Sequence, residues 1–355
     1  MIDRPAPMEG KGAYNRSSRV QAAGLLPAVA LFEEAARTVA LAPTPLPIVI
    51  ADYGSSEGHN SMVPISAAIR ALRDRVSPER AICVVHTDLP DNDFSALFQA
   101  LSSDPDSYLA GDPAVFASAV GRSFYEQLLP RDRVMLGWSS WAVQWLSRTP
   151  AIIPDHIQVA YSHDAAARVA FNRQAAEDWR TFLTARSLEM RQDARLVVLT
   201  MALDENGAFG YQPLLQAMVD TLATLTDEGL IRTEEVYHMA IPTVGRSRAE
   251  LSAPFEETGR VADLSIEHLD VFATEDRIWT EYEQRHDAQV FGEQWAKFSR
   301  ASVFPTLAAA LTGGEADPRR AKFFDRLEAG VAARLAAAPQ KMVIPLAMLM
   351  LRKGS

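Results

Sequence analysis

The stretch IVIADYGSSEGHN (48–60) decides the fold. Its apolar run IVIA (48–51) is too short for a helix and reads as a buried β-strand. Asp52 ends the run, Gly54 and Gly58 shape a turn, and a helix is expected from about Ser61 to Arg75. The unit recurs: ICVVHTD (82–88) precedes a helix from about Asn92 to Leu101, and RVMLGWSS (133–140) is another strand. A long amphipathic segment (166–190) leads into ARLVVLTMA (194–202), whose length and β-branched content suit a strand in mid-sheet. Strands alternating with helices predict an α/β fold built on a doubly wound, mostly parallel sheet.

Outward from this core, residues 17–39 read as a helix opened by Ser17 or Ser18 and kinked at Pro27. Beyond residue 209 helices are expected at TLATLTDEGL (221–230) and WAKFSRASVFPTLAAAL (295–311), with a strand at DLSIEHLDVF (263–272) between them; part of this region reads as a cap. The chain's last apolar run, KMVIPLAMLMLRK (341–353), is a strand whose Pro345 favours an edge or a bulge.

The 355 residues, 48% hydrophobic and 23% charged, have an ordinary globular composition. A net charge of -10 argues against a nucleic-acid surface, which needs clustered Lys and Arg. Cys83, the one cysteine, falls inside the run AICVV (81–85) and reads as a buried strand residue, so there is no disulfide framework. No stretch is apolar for long enough to span a bilayer, and the N-terminus has no signal-peptide pattern, which makes the cytoplasm the expected compartment.

The loop GSSEG (54–58) has neither GxGxxG spacing nor the Lys and Ser/Thr of a P-loop, so it suits a nucleoside without phosphates. Asp88 ends the second strand, where an acid can accept both ribose hydroxyls. The acids of DLPDND (88–93) read as a solvated helix start, and the seven histidines show no HxH or HExxH spacing, so no metal is assigned. GWSSW (137–141) lacks the final glycine of a hydrolase nucleophile elbow.

An ordered set of motifs resembles the SABATH methyltransferases, which include salicylate, benzoate, jasmonate and indoleacetate carboxyl methyltransferases. It comprises YNRSSRVQ (14–21), ADYGSSEGHN (51–60), TDLPDNDFSALFQAL (87–101), GRSFYEQLLP (121–130), SSWAVQWLSRTP (139–150), RLVVLT (195–200), DEGLI (227–231) and Ile241-Pro242. The resemblance implies a Rossmann-like core (41–208) that binds S-adenosylmethionine and an N-terminal segment and helix (1–40) that close over cofactor and substrate. It also implies a mainly helical cap with interspersed core strands (209–330), a C-terminal core strand (331–355) and a homodimer. Motif by motif, Asp52, Gly54 and Asn60 would line the methionine and nucleoside end, Asp88 and Leu89 the ribose and adenine, and Ser123 and Phe124 the adenine edge. Tyr14 and Ser18, together with Gln21, would close the methionine side. Gln21 and Trp145 match the amide and indole donors that hold the acceptor carboxylate, and Trp141, Gln144, Leu215, Ser299 and Ser302 fall at acceptor-pocket positions.

Residue chemistry agrees with this. A carboxylic acid with a pKa of roughly 4 is ionised at neutral pH, so its oxygen needs no general base to attack a sulfonium-activated methyl. Alignment at about 3 Å and exclusion of water would supply the catalysis. Relative to the salicylate enzymes, a pocket tryptophan is replaced near Leu215, the Tyr after Ile-Pro is replaced within PTVGRS (242–247), and Ser299 and Ser302 stand for larger apolar residues. A longer or wider cavity follows, fitted to a medium-chain fatty acid or a bulky aromatic acid. Two other readings stay open: methylation of a ring nitrogen, as in the caffeine-forming relatives, and a non-catalytic S-adenosylmethionine sensor.

Overall fold

β1 (Ile48–Tyr53) is buried along almost its whole length, as a strand covered on both faces must be. In a computed structural model, which describes residues 19–41, 46–256 and 259–354 and side chains from residue 24 onward, β1 lies within a seven-stranded sheet. The other strands are β2 (Ile82–Asp88), β3 (Val115–Gly121), β4 (Val134–Ser140), β5 (Met190–Met201), β6 (Leu264–Ala273) and β7 (Pro345–Lys353). Their order is β3-β2-β1-β4-β5-β7-β6, and only β7 runs antiparallel to its neighbours. The chain winds outward from β1 to β3, returns to β4 beside β1, and winds the other way.

Helices cover both faces. On one face α1 (Arg19–Thr38) buries Ala28, Phe32, Ala35 and Ala36 and packs on α2 (His59–Arg73), with the Phe32 ring 5.1 Å from that of Trp138. α3 (Phe94–Ser103) follows β2 and buries Leu97 and Leu101 in the same cluster. On the other face α4 (Ala165–Glu189), capped by the Asp164 carboxylate, sets Trp179, Phe182 and Leu183 against Tyr53, Leu196 and Val198.

Beyond β5 the chain forms α5 (Gln212–Asp227), α6 (Thr233–Tyr237), α7 (Arg248–Ser252), α8 (Arg277–Arg285), α9 (Ala288–Ser302), α10 (Phe304–Ala308) and α11 (Arg320–Ala337), the region expected to form the cap. α11 packs on both α9 and α5. A Cβ on Gly292 of α9 would stand 2.2 Å from the Ala332 carbonyl oxygen, so glycine permits the crossing. Buried Glu235 accepts from Arg319 (2.6 Å) and from the Thr312 hydroxyl (2.6 Å), while Arg319 also pairs with Asp317 (2.7 Å). The Arg319 guanidinium holds the Glu235 carboxyl well below the usual carboxylate range.

Several expectations change. β3 is an additional strand, half exposed at the sheet edge. The helix expected over 295–311 is two, because Val303 leaves helical geometry and Pro305 cannot donate back into the preceding turn. β7 is not an edge strand: it lies between β5 and β6, and Pro345 is tolerated as its first residue while its carbonyl accepts from Ala202 N (2.9 Å). Cys83 lies on β2 as expected but is half-buried. α11 spans residue 330, and the last strand begins at Pro345. The Ser17 or Ser18 cap lies outside the described residues, among which no helix is long and apolar enough to cross a membrane.

Candidate functional site

The change of winding direction between β1 and β4 opens a crevice at the carboxyl ends of the strands, where open α/β sheets bind ligands. β1 brings Asp52 there, and β2 brings Asp88. Gly54 follows with φ 86° and donates to the Thr87 carbonyl (2.9 Å). A Cβ at Gly54 would lie 2.4 Å from that of Ala142, so glycine alone fits this turn. Asp88 accepts from Ser56 N (2.7 Å) through one oxygen and from Leu89 N (2.8 Å) through the other, and Asn92 Nδ2 donates to the Ser56 carbonyl (3.0 Å). Burial, reinforced by the charges of Asp52 and Asp91, pushes the Asp88 carboxyl up to about 6.

A fixed carboxylate with lone pairs to spare can accept two vicinal hydroxyls. Ser55 Oγ is buried and, among the described residues, has no hydrogen-bond partner, as a donor aimed at an absent ligand would be. Asn60 stands in the first turn of α2. Ser123 and Phe124 sit in the turn after β3, closed by Glu126 N donating to the Ser123 carbonyl (2.9 Å), and the Phe124 ring edge approaches Gly54. These residues, drawn from three strand ends, fit a nucleoside.

Asp52 has a further constraint. The parallel register sets it opposite His86, whose Nδ1 is 2.8 Å from an Asp52 oxygen, and His86 Nε2 is 2.7 Å from the Tyr108 hydroxyl. All three side chains are buried, and burial pushes the Tyr108 phenol above its ordinary range. His86 is structural, yet it holds a site acid; only cross-strand register reveals this.

Next to the crevice, between the sheet and the cap, a cavity encloses about 620 Å³ of space, part of it open to solvent. Trp141, Gln144, Trp145, Leu215, Ser299 and Ser302 all line it. Trp141 leaves β4 in the left-handed region (φ 56°), an unusual conformation for a bulky residue. It is held by Trp141 N donating to the Leu199 carbonyl (2.9 Å) and by Gln144 Nε2 donating to the Trp141 carbonyl (2.6 Å). Gln144 Oε1 accepts from Thr200 (3.2 Å), so both ends of this amide are engaged in shaping the wall.

The two serine hydroxyls donate back into α9, Ser299 to the Trp295 carbonyl (3.0 Å) and Ser302 to the Phe298 carbonyl (2.7 Å), leaving a small, largely apolar surface. The Trp145 backbone is fixed by the Tyr125 hydroxyl on its carbonyl (2.6 Å) and by a bridge to Thr243. Among the described residues, its indole N–H has no hydrogen-bond partner. Gln21 lies in α1 with its side chain outside the described set, as are Tyr14 and Ser18 entirely.

The sequence matches the family of SAM dependent carboxyl methyltransferases over residues 6–353. The chain belongs to that family. This carboxyl methyltransferase is 26% identical to anthranilate O-methyltransferase 2 of Zea mays over 326 residues, covering 85% of this chain and 86% of that one. It is also 26% identical to the benzoate O-methyltransferase of Zea mays over 280 residues, 71% of this chain and 73% of that one. The solved structure of loganic acid methyltransferase with SAH superposes with a TM-score of 0.78 at 21% identity, covering 98% of this chain and 99% of that one, which shows the Rossmann-like methyltransferase fold. The enzyme's cofactor is S-adenosylmethionine.

The methyltransferase's cavity includes residues not named as pocket positions from the sequence, although Thr243 falls within PTVGRS (242–247). Tyr211 and Phe298 stack, ring centroids 6.2 Å apart, on the cap side, beside Leu214 and Met218 of α5. Gln158 and Thr243 join the wall from segments 85 residues apart, a spacing that carries no local signal.

Proposed function

We propose that this methyltransferase esterifies a small, largely apolar carboxylic acid, a medium-chain fatty acid or a bulky aromatic acid. The observation that carries this reading is a mostly apolar cavity adjoining the nucleoside crevice and lined by Trp145, whose indole N–H has no protein partner among the described residues. An indole N–H donates only, which suits a carboxylate oxygen. Gln21 would supply the second donor. The acid arrives ionised, so the protein's task is to orient one oxygen and keep water away while opposite charges cancel.

S-adenosylmethionine supplies the activated methyl. Asp88 and Leu89 would hold its ribose and adenine, Ser123 and Phe124 the adenine edge, and Asp52, Gly54 and Asn60 the methionine side, closed by Tyr14 and Ser18. That relatives are named for anthranilate and benzoate supports an acid acceptor over a ring nitrogen. Leu215, Ser299 and Ser302 leave room that a planar C7 acid would not fill. The test is kcat/KM for octanoate, decanoate, cinnamate, indoleacetate, benzoate and salicylate. The longer or bulkier acids should lead, and benzoate far ahead of octanoate, decanoate and cinnamate would refute the size argument. A homodimer belongs to this reading, checked by light scattering at twice the chain mass.

A further inference from the structure

The acceptor cavity is not uniformly apolar. Gln158 and Thr243, 1% and 5% exposed, form a polar couple in its wall, Gln158 Nε2 lying 2.8 Å from Thr243 Oγ1. The amide orientation is dictated chemically: Ala160 N can only donate, and it lies 3.3 Å from Gln158 Oε1, so the NH2 end must face Thr243. Thr243 Oγ1 therefore accepts, and its own proton points elsewhere. Among the described residues, neither that proton nor the second amide hydrogen of Gln158 has an acceptor.

Two buried donor hydrogens in a cavity wall are costly unless something accepts them. Their position is informative. Thr243 forms an antiparallel bridge with Trp145, and Val244 N donates to the Gln144 carbonyl (2.9 Å), so the segment that carries Thr243 lies beside the backbone that carries Trp145. α5 and α9 add the apolar side chains Leu214, Leu215, Met218 and Phe298 to the wall.

We infer that the acceptor acid carries a second oxygen, a keto or hydroxyl group on its carboxyl half, which accepts from Thr243 and Gln158 while an apolar tail lies against α5 and α9. This rests on the carboxylate reading above and sharpens its substrate class. Unsubstituted acids would leave the two donors unsatisfied, at a cost on the order of tenfold or more in kcat/KM.

The experiment compares kcat/KM of the purified full-length enzyme for matched pairs: decanoate with its 2-, 3- and 4-hydroxy and 4-oxo forms, and 4-phenylbutanoate with 4-oxo-4-phenylbutanoate. At least one oxygenated acid should exceed its parent about tenfold. Thr243→Val should bring that ratio towards one, and Thr243→Ser should keep it; a ratio within one preparation is insensitive to its active fraction. Parent acids turned over as well as every oxygenated form, or a ratio unchanged in Thr243→Val, would overturn the inference and leave carboxyl methylation standing. Absence of methyl ester from every acid, with S-adenosylmethionine bound, would overturn the carboxylate reading and this one with it.

Discussion

Replacing Trp145 with Phe removes one N–H and keeps an aromatic ring against the same neighbours. The loop that carries residue 145 is fixed by backbone contacts, the Tyr125 hydroxyl on its carbonyl (2.6 Å) and Leu146 N on the Pro242 carbonyl (2.8 Å), none of which needs the indole. The variant should therefore fold and bind cofactor. What it loses is a hydrogen bond to a charged acceptor, about 1.5–3 kcal/mol. At about 1.4 kcal/mol per factor of ten, kcat/KM for the best acid should fall about 10- to 150-fold. Initial rates of S-adenosylhomocysteine release over a range of acid concentrations measure this, with the S-adenosylmethionine dissociation constant as control. A decrease smaller than twofold, or an equal loss in cofactor affinity, would refute the assignment of the indole to the acceptor carboxylate.

Four further outcomes follow from the geometry. Burial raises the Asp88 carboxyl to about 6, so protonation below that pH removes the charged acceptor for ribose hydroxyls; cofactor affinity, followed by calorimetry, should weaken as pH falls from 7 to 5 and become nearly pH-independent in Asp88→Asn. The same raised value makes Asp88 a stabilising group for the free protein only at low pH, an effect lost as pH rises through about 6, so thermal melts without cofactor should show this component with the opposite sign. Gly54→Ala places a Cβ within 2.4 Å of Ala142 and in a left-handed conformation, which should displace the loop and weaken cofactor binding at least about tenfold while the sheet melts within a few degrees of the parent. Glu235 has its carboxyl depressed by Arg319, so its contribution is present above pH 4.5 and fades as acid titrates the folded form; Glu235→Gln should cost about 2 kcal/mol in urea unfolding at pH 7, and the difference should shrink towards low pH.

Strands β1, β2, β4 and β5 were readable because each is covered on both faces and so appears as an unbroken apolar run. β3 was not, since VFASAVG on the sheet edge is built of small residues with alternating exposure. Pro345 explains the difference: a proline cannot donate within the ladder of a central strand, but as the first residue of β7 it still accepts, from Ala202 N. In the site, the acids at strand ends could be placed from their position in the repeating unit, and Trp141, Gln144 and Trp145, which line one cavity, share an ordered motif. The partners of those residues could not. His86 meets Asp52 through register, and Gln158 meets Thr243 through the fold of the cap onto the loop after β4; neither contact leaves a periodic trace.

The most direct test of the account is a single turnover of the wild-type enzyme with methyl-labelled S-adenosylmethionine and decanoate or one of its oxygenated forms, analysed by mass spectrometry. Carboxyl methylation predicts one labelled methyl ester per S-adenosylhomocysteine formed, with the label lost on saponification. Label in a product that resists saponification, or bound cofactor with no labelled product from any acid, would contradict it.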